Sequence, residues 1–315
     1  MRVVTAPEID RALAFPALID ALAEAFAGDF AAPERHHHGI DRDGPSGTLL
    51  LMPAWTGRAA GDGYLGVKVV SVFPGNGDRG LPSVLGTYLL MDGATGQPLA
   101  ALDGTRLTVW RTAAASALAA RFLARPDASR MVMVGAGALA PFLIRAHLSQ
   151  RPIREVLLWN RNRARADALA EELAAENLPV RATGDLEAAV RGADLVSCAT
   201  LSRRPLVKGA WLKPGAHLDL VGAFNLTMRE ADDEALRRSR LYVDTAAARH
   251  EGGDVALALR DGAIMPAHVL GDLFDLCRAP VPRPTEAITV FKSVGAALED
   301  LAAAMLVWRR RPDLA

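Results

Sequence analysis

Met131-Val132-Met133-Val134-Gly135-Ala136-Gly137-Ala138-Leu139-Ala140 passes from four apolar residues through a glycine turn into an apolar-periodic stretch. The apolar residues read as a short strand. Residues 139–148 read as a helix, with Leu139, Phe142, Leu143 and Ala146 on one face. Strand, Gly-x-Gly-x-x-Ala turn and helix together form the phosphate-binding unit of a doubly wound sheet. Gly135 permits the tight turn, Gly137 lets backbone approach a diphosphate, and small Ala140 lets helix and strand pack closely. Backbone N–H groups at the helix start then face anionic oxygens. A nicotinamide dinucleotide is the expected ligand, with Gly135, Gly137, Ala138 and Leu139 as contacts. A tight turn without a ligand is the alternative.

Downstream the rhythm continues. Residues 156–159 read as a strand and 163–177 as a helix; 180–183 and 186–190 repeat the pair. Further strands are expected at 194–199, 217–221 and 241–244. Thr227-x-x-Glu230 reads as a capping box opening a helix to about residue 239. Alternating strands and helices at this spacing imply a parallel, doubly wound α/β sheet of Rossmann type. The end of its second strand selects the cofactor, because an acid there holds ribose hydroxyls while Arg accommodates a 2′-phosphate. This chain has Asn160-Arg161-Asn162-Arg163 and no acid. NADPH is therefore expected over NADH, with Asn160, Arg161 and Asn162 as contacts and Arg163 as a second guanidinium. Arg165 reads as a solvated helix residue. Thr200, beyond the strand at 194–199, joins the expected cofactor contacts.

Upstream, residues 7–28 have helical spacing that Pro16 can split. Short β runs at 48–52, 64–73, 84–91 and 98–102 are separated by turns such as Asp92-Gly93. An alanine-rich helix is expected from about 108 to 124, and a tail helix over 289–308. The expected order is a β-rich α+β domain, a dinucleotide-type domain, and a C-terminal helix returning to the first; 315 residues suit two domains.

The bulk properties exclude more than they select. Lys plus Arg equals Asp plus Glu at 36 each, which gives no ground for a general nucleic-acid or membrane-surface binder. Cys198 and Cys277 have neither a metal-binding spacing nor the number for a disulfide framework. With no signal-like N-terminus and no apolar stretch of spanning length, the cytoplasm is the expected compartment.

Three basic positions stand out. Lys68 lies in Gly66-Val67-Lys68-Val69-Val70, and alternation puts it on the face opposite Val67 and Val69; solvent is the ordinary destination of such a lysine. Arg111 sits near the start of the expected helix, where it opposes the macrodipole, so a ligand anion or a structural ion pair is its expected partner. Arg35 precedes His36, His37 and His38, which cannot all face one metal. No metal is expected.

These residues carry a pattern. Gly66-Val67-Lys68-Val69-Val70, Gly80-Leu81-Pro82-Ser83, Leu90-Met91-Asp92-Gly93-Ala94-Thr95-Gly96, Arg111-Thr112-Ala113-Ala114-Ala115, Gly135-Ala136-Gly137, Asp219-Leu220-Val221-Gly222-Ala223 and Phe291-Lys292-Ser293-Val294-Gly295 occur in order over almost the whole chain. In these the chain resembles the ornithine cyclodeaminase/mu-crystallin family. The resemblance implies a substrate-binding and dimerisation domain at 1–112 and 290–315, a Rossmann domain at 113–289, and a homodimer. It implies that Arg35, Lys68 and Arg111 hold a substrate carboxylate, that Ser83 lies near the substrate, and that Thr112 meets the cofactor phosphates. Ser293, Val294 and Gly295 would border the nicotinamide.

One departure bears on the reaction. Cyclodeaminases of the family carry an Asp just after the Gly-Gly or Gly-Ala of the late strand. Here Gly222-Ala223 leads into Phe224-Asn225, and Phe cannot transfer a proton. The segment looks like the branch that reduces Δ1-pyrroline-2-carboxylate and Δ1-piperideine-2-carboxylate. That implies a small cyclic imino acid substrate, Phe224 against its ring and Lys68 as proton donor or relay. An ornithine cyclodeaminase, an alanine-type dehydrogenase and a non-catalytic NADPH-dependent binder are the alternatives, which fold alone does not separate.

Overall fold

The computed structural model describes residues 1–42, 46–58, 63–279 and 285–310. The chain divides into two compact units: Met1–Arg111 with the chain from Ala296 onward, and Thr112–Gly295.

The first unit opens with β1 (Arg2–Val4), α1 (Ala6–Ala12) and α2 (Phe15–Ala27). The expected single helix is split at Leu13–Ala14, and Pro16 falls in the first turn of α2, where its missing N–H costs nothing. Next come β2 (Phe30–Ala31), β3 (His36–Ile40), β4 (Gly47–Thr56), β5 (Tyr64–Val72), β6 (Val84–Asp92) and β7 (Pro98–Asp103). The sheet order is β1-β7-β6-β5-β4-β2, with β3 also on β4. The three histidines lie in β3, which lacks the apolar alternation that marks a strand.

Helix α3 (Gly104–Leu123) carries the chain across the boundary between the units. It starts four residues before the expected 108 because the Asp103 carboxylate accepts the Arg106 N–H at 2.8 Å, as a capping residue does. Asp10 of α1 grips α3, accepting from Arg106 Nε (2.7 Å), Arg106 Nη2 (2.6 Å) and Trp110 Nε1 (2.8 Å).

The second unit continues with β8 (Arg130–Val134), α4 (Ala140–Leu148), β9 (Glu155–Trp159), α5 (Arg163–Ala175), β10 (Val180–Ala182), α6 (Leu186–Gly192), β11 (Leu195–Cys198) and β12 (His217–Leu220). It closes with α7 (Asp233–Arg237), β13 (Ser239–Val243), α8 (Gly253–Arg260), β14 (Val269–Gly271), α9 (Leu273–Arg278) and β15 (Ile288–Lys292). The eight strands are ordered β10-β9-β8-β11-β12-β15-β13-β14, and every neighbouring pair is parallel. This is the expected doubly wound α/β sheet. The strand order reverses between β8 and β11, which opens a crevice at their carboxyl ends. Val132, Val134, Val196, Cys198, Leu218 and Val290 belong to its buried core.

Two expectations fail here. Residues 289–292 belong to strand β15, and the tail helix α10 begins only at Ala297 (Ala297–Arg309). Ile288, Thr289, Val290 and Phe291 are β-branched or aromatic and all buried, as a central parallel strand requires. Residues 290–295 therefore lie in the second unit, and 311–315 fall outside the described residues. The helix expected from Thr227 shrinks to α7, capped by Asp232 through Ala235 N. Glu230 is drawn into the interior instead of closing a capping box.

In the first unit, Met52, Lys68, Tyr88 and Leu102 lie in register on one buried sheet face. The face expected to be interior, bearing Leu49, Leu51, Leu65, Val67, Val69 and Leu89, is only half-buried. Trp55 and Leu85, on the same face, are exposed.

Candidate active site

In the first unit, β5 and α3 deliver Lys68 and Arg111 to the acidic start of α10. Lys68 Nζ lies 2.7 Å from Asp300 Oδ2 and 3.4 Å from Thr108 Oγ1. Arg111 donates from Nε to Asp300 Oδ1 (3.0 Å) and from Nη1 to Glu299 Oε2 (2.6 Å). All four are buried, Lys68 at 2 % exposure and Arg111 at 5 %. Two cations and two anions balance, which is the condition for keeping such charges out of water. Lys68 thus faces the interior, contrary to the solvent-facing expectation, because Asp300 compensates its charge there. Arg111 lies two turns inside α3, so its partners are the two acids and the dipole argument lapses. Glu299 and Asp300 were absent from the expected set; Leu298-Glu299-Asp300-Leu301, with both acids inside an apolar helix, was the available signal.

Burial, and then the nearby Arg111 charge, lower the Lys68 ammonium to about 8, although Asp300 and Glu299 pull the other way. Burial also disfavours the Arg111 cation, but Asp300 and Glu299 outweigh it and raise Arg111. Tyr88 stands opposite Lys68 in the sheet, and its buried hydroxyl has no hydrogen-bond partner. Burial, then Asp300, keep that phenol protonated well above its ordinary range. Gly66 makes room for it, since a Cβ there would overlap the hydroxyl.

Ser83 does not join this group, whereas Arg35 stands at the strand end nearest to it. Arg35 is half-buried at the foot of β3, whose His36 pairs with Leu51, which in turn pairs with Val69. Its backbone is therefore two strand spacings, roughly 10 Å, from that of Lys68, a gap that two long side chains can span. Ser83 is exposed before β6 and accepts from Phe73 N at 2.8 Å. It lies five residues, roughly 16 Å, along the strand from Tyr88. Among the described residues no group of three or more His, Cys, Asp or Glu could hold a metal ion.

In the second unit, the turn after β8 borders a cleft of about 300 Å³ at the strand-order reversal, lined also by Asn160, Arg161, Asn162 and Thr200. Gly135 has φ +111°, and a Cβ there would stand 2.6 Å from the Ala199 carbonyl oxygen. Gly137 is exposed, with nothing within 4 Å of a Cβ, so the space above its backbone is open. Ala138 is exposed and Leu139 half-buried beside it. Asn160 braces the turn, accepting from Ala136 N at 3.4 Å and donating to Asn162 O at 2.9 Å. Arg165 lines the cleft with Arg161, whereas Arg163 pairs with Asp167 at 2.8 Å. That reverses the expected roles of Arg163 and Arg165, because Asp167 follows Arg163 by four residues, one helical turn. These residues fit a dinucleotide: an open glycine, exposed backbone and two guanidiniums with no competing acid at the end of β9.

Thr112 is half-buried on α3. The Ser293 hydroxyl is buried without a hydrogen-bond partner. Asp244 holds the next two residues, accepting from Val294 N (2.7 Å) and Gly295 N (2.6 Å). Gly295 has φ +84°, a conformation glycine adopts freely. Phe224 is 48 % exposed, two residues beyond Gly222 at the carboxyl end of β12. Asp219 lies buried in β12 and accepts from Ser197 Oγ (2.6 Å) and Ser116 Oγ (2.9 Å), a structural role.

The architecture defines a two-unit α/β protein with a Rossmann-type sheet. The chain belongs to the ornithine cyclodeaminase/mu-crystallin family, whose model matches residues 2–313. Among curated relatives, Δ1-pyrroline-2-carboxylate reductase of Paracoccus denitrificans is 40 % identical over 290 residues, covering 91 % of this chain and 90 % of that protein. Ketimine reductase mu-crystallin of Rattus norvegicus is 37 % identical over 263 residues, covering 83 % and 80 %. Among solved structures, Thermococcus litoralis Δ1-pyrroline-2-carboxylate reductase in complex with NADH and L-proline has a TM-score of 0.91 at 32 % identity, covering 98 % of this chain and 97 % of that one.

Proposed function

We propose that this chain is an NADPH-dependent oxidoreductase that reduces cyclic ketimine carboxylates, Δ1-pyrroline-2-carboxylate or Δ1-piperideine-2-carboxylate, to L-proline or L-pipecolate. Phe224 carries this reading: it is an exposed aromatic that cannot move a proton, at the position where the resemblance to the family implies an acid in the cyclodeaminases. The names of the relatives support it. When bound, the reduced nicotinamide supplies the hydride that the C=N carbon takes up. The nitrogen gains a proton, and Lys68 is its source. An ammonium lowered to about 8 is mostly protonated at neutral pH yet releases its proton readily. Arg111 Nη2 takes part in neither acid pair and is the edge offered to the substrate carboxylate. Phe224 supplies an apolar surface for the ring and excludes water from it. The deciding assay mixes protein, NADPH and each imine, and follows the cofactor's absorbance. Turnover with at least one imine is expected; none with either, alongside ammonia release from ornithine, overturns the reading.

The choice of NADPH rests on Arg161 and Arg165. Arg161→Ala and Arg165→Ala should each weaken NADPH about tenfold, the worth of a charge-assisted hydrogen bond at an exposed site. NADH binding should change by less than about twofold, since it has no 2′-phosphate. Arg163→Ala is the control and should discriminate neither. Equal losses for both cofactors, read by NAD(P)H fluorescence, would remove the 2′-phosphate argument.

A homodimer is also proposed. The apolar sheet face of the first unit, with Val67 and Leu89 paired at its centre, is half-exposed in a single chain. Contiguous apolar surface of this kind calls for a partner, and a second copy offers the same self-complementary face. Light scattering should report a dimer for the wild type and a folded monomer for Val67→Glu/Leu89→Glu. A monomeric wild type at micromolar concentration would overturn the proposal.

A further inference from the structure

Glu230 is fully buried, yet its carboxylate is used by two loops at once. Oε1 accepts from Thr200 N (2.6 Å) and Thr200 Oγ1 (2.9 Å), beyond β11. Oε2 accepts from Gly222 N (2.6 Å) and Ala223 N (3.2 Å), beyond β12. Thr200 lines the cofactor cleft, and Gly222 and Ala223 lead into Phe224. The two loops touch so closely that a Cβ at Gly222 would overlap the Thr200 backbone.

The carboxylate is itself held. Asp254 Oδ1 accepts from Glu230 N (2.7 Å) and Ala231 N (3.0 Å). Lys292 Nζ lies 3.5 Å from Asp254 Oδ2 and donates to Leu220 O at 3.2 Å. Lys292 immediately precedes the Ser293-Val294-Gly295 segment. Burial, then the Asp254 charge, push Glu230 up to about 7, against the pull of Lys292 and the Thr200 donors. A purely apolar plug would pack these loops without that desolvation cost. The carboxylate instead provides directional bonds that fix where both loops stand.

We propose that Glu230 is a positioning residue, a strut that ties the Thr200 wall of the cofactor cleft to the Gly222–Phe224 turn so that cofactor and ring substrate meet one rigid edge. The substrate half of this inference rests on the reductase reading; the cofactor half does not.

Glu230→Gln keeps the shape but turns one acceptor oxygen into an amide donor facing N–H groups, so one loop loses its tie. The expected result is faster hydrogen exchange in both residues 199–202 and 222–226, with the sheet strands unchanged. NADPH should bind about tenfold more weakly, and KM for the imine should rise more than kcat falls, as for lost charge-assisted bonds that position without reacting. A structural filler would lower the melting temperature and leave the cofactor Kd and KM of the folded fraction alone. Wild-type exchange and wild-type NADPH affinity in folded E230Q would overturn the proposal. If the wild type reduces neither imine, the reductase reading fails while exchange and NADPH Kd still decide the strut. Should E230Q not fold, Thr200→Val removes the hydroxyl arm alone. Faster exchange across 222–226 in that variant supports the strut, and no change there refutes it.

Discussion

Lys68→Met should lower kcat/KM for imine reduction by about a thousandfold, the mid-range of what a positioned proton donor contributes. The methionine keeps the length and the apolar stem but holds no proton. In the wild type the same group should shape the pH profile. Lys68 is lowered to about 8, so kcat/KM should be level below that value and fall as pH rises through it, because only the ammonium donates. That limb should vanish in the variant.

The loss must be separated from misfolding, since removing one partner of a buried pair strands the other charge. Such breaks cost about 3–5 kcal/mol when nothing compensates. Here Asp300 retains Arg111, so the cost should lie below that range. The double variant Lys68→Met/Asp300→Asn makes the separation cleaner. It removes one cation and one anion and leaves Arg111 paired with Glu299 at 2.6 Å. The melting temperature should recover most of the single variant's loss while activity stays absent. Recovery of activity together with stability would assign Lys68 a structural role and reopen the identity of the donor.

The second large effect concerns Gly137. Gly137→Ala should leave the melting temperature within a degree or two of wild type, because nothing lies within 4 Å of the added methyl. NADPH binding should nevertheless weaken about a hundredfold: the methyl would occupy the space a diphosphate needs, and two or more backbone hydrogen bonds at about 1 kcal/mol or more each would be lost. Gly135→Ala is the contrast. Its φ of +111° and the Ala199 oxygen 2.6 Å away make the methyl costly to the fold itself. That variant should lose stability and cofactor together. Fluorescence titration and thermal unfolding of the two separate a cradle from a turn. If Gly137→Ala binds NADPH like wild type, the diphosphate does not lie on this backbone.

The sequence alone determined what depends on local chemistry. The turn at 135–140, the alternation of strands and helices around it and the absence of an acid at Asn160-Arg161-Asn162 are short-range features, and each stands in the structure where the residues place it. Helix and strand are exchanged where a segment's fate depends on distant partners. Residues 288–292 are a strand because β12 and β13 receive them on either side. Glu230 is a buried strut because two loops converge on it.

Tertiary structure alone decided the surroundings of the charges. Alternation separated Lys68 from Val67 and Val69 but could not say which face is interior. Asp300, 232 positions later, makes a buried lysine tolerable, and the apolar face is left half-exposed instead. The pairing of Arg111 with Glu299 and Asp300 has the same origin, whereas the exchange of roles between Arg163 and Arg165 is local, set by Asp167 one helical turn on. A charge settles wherever its counter-charge and its water are, and both are properties of the folded chain.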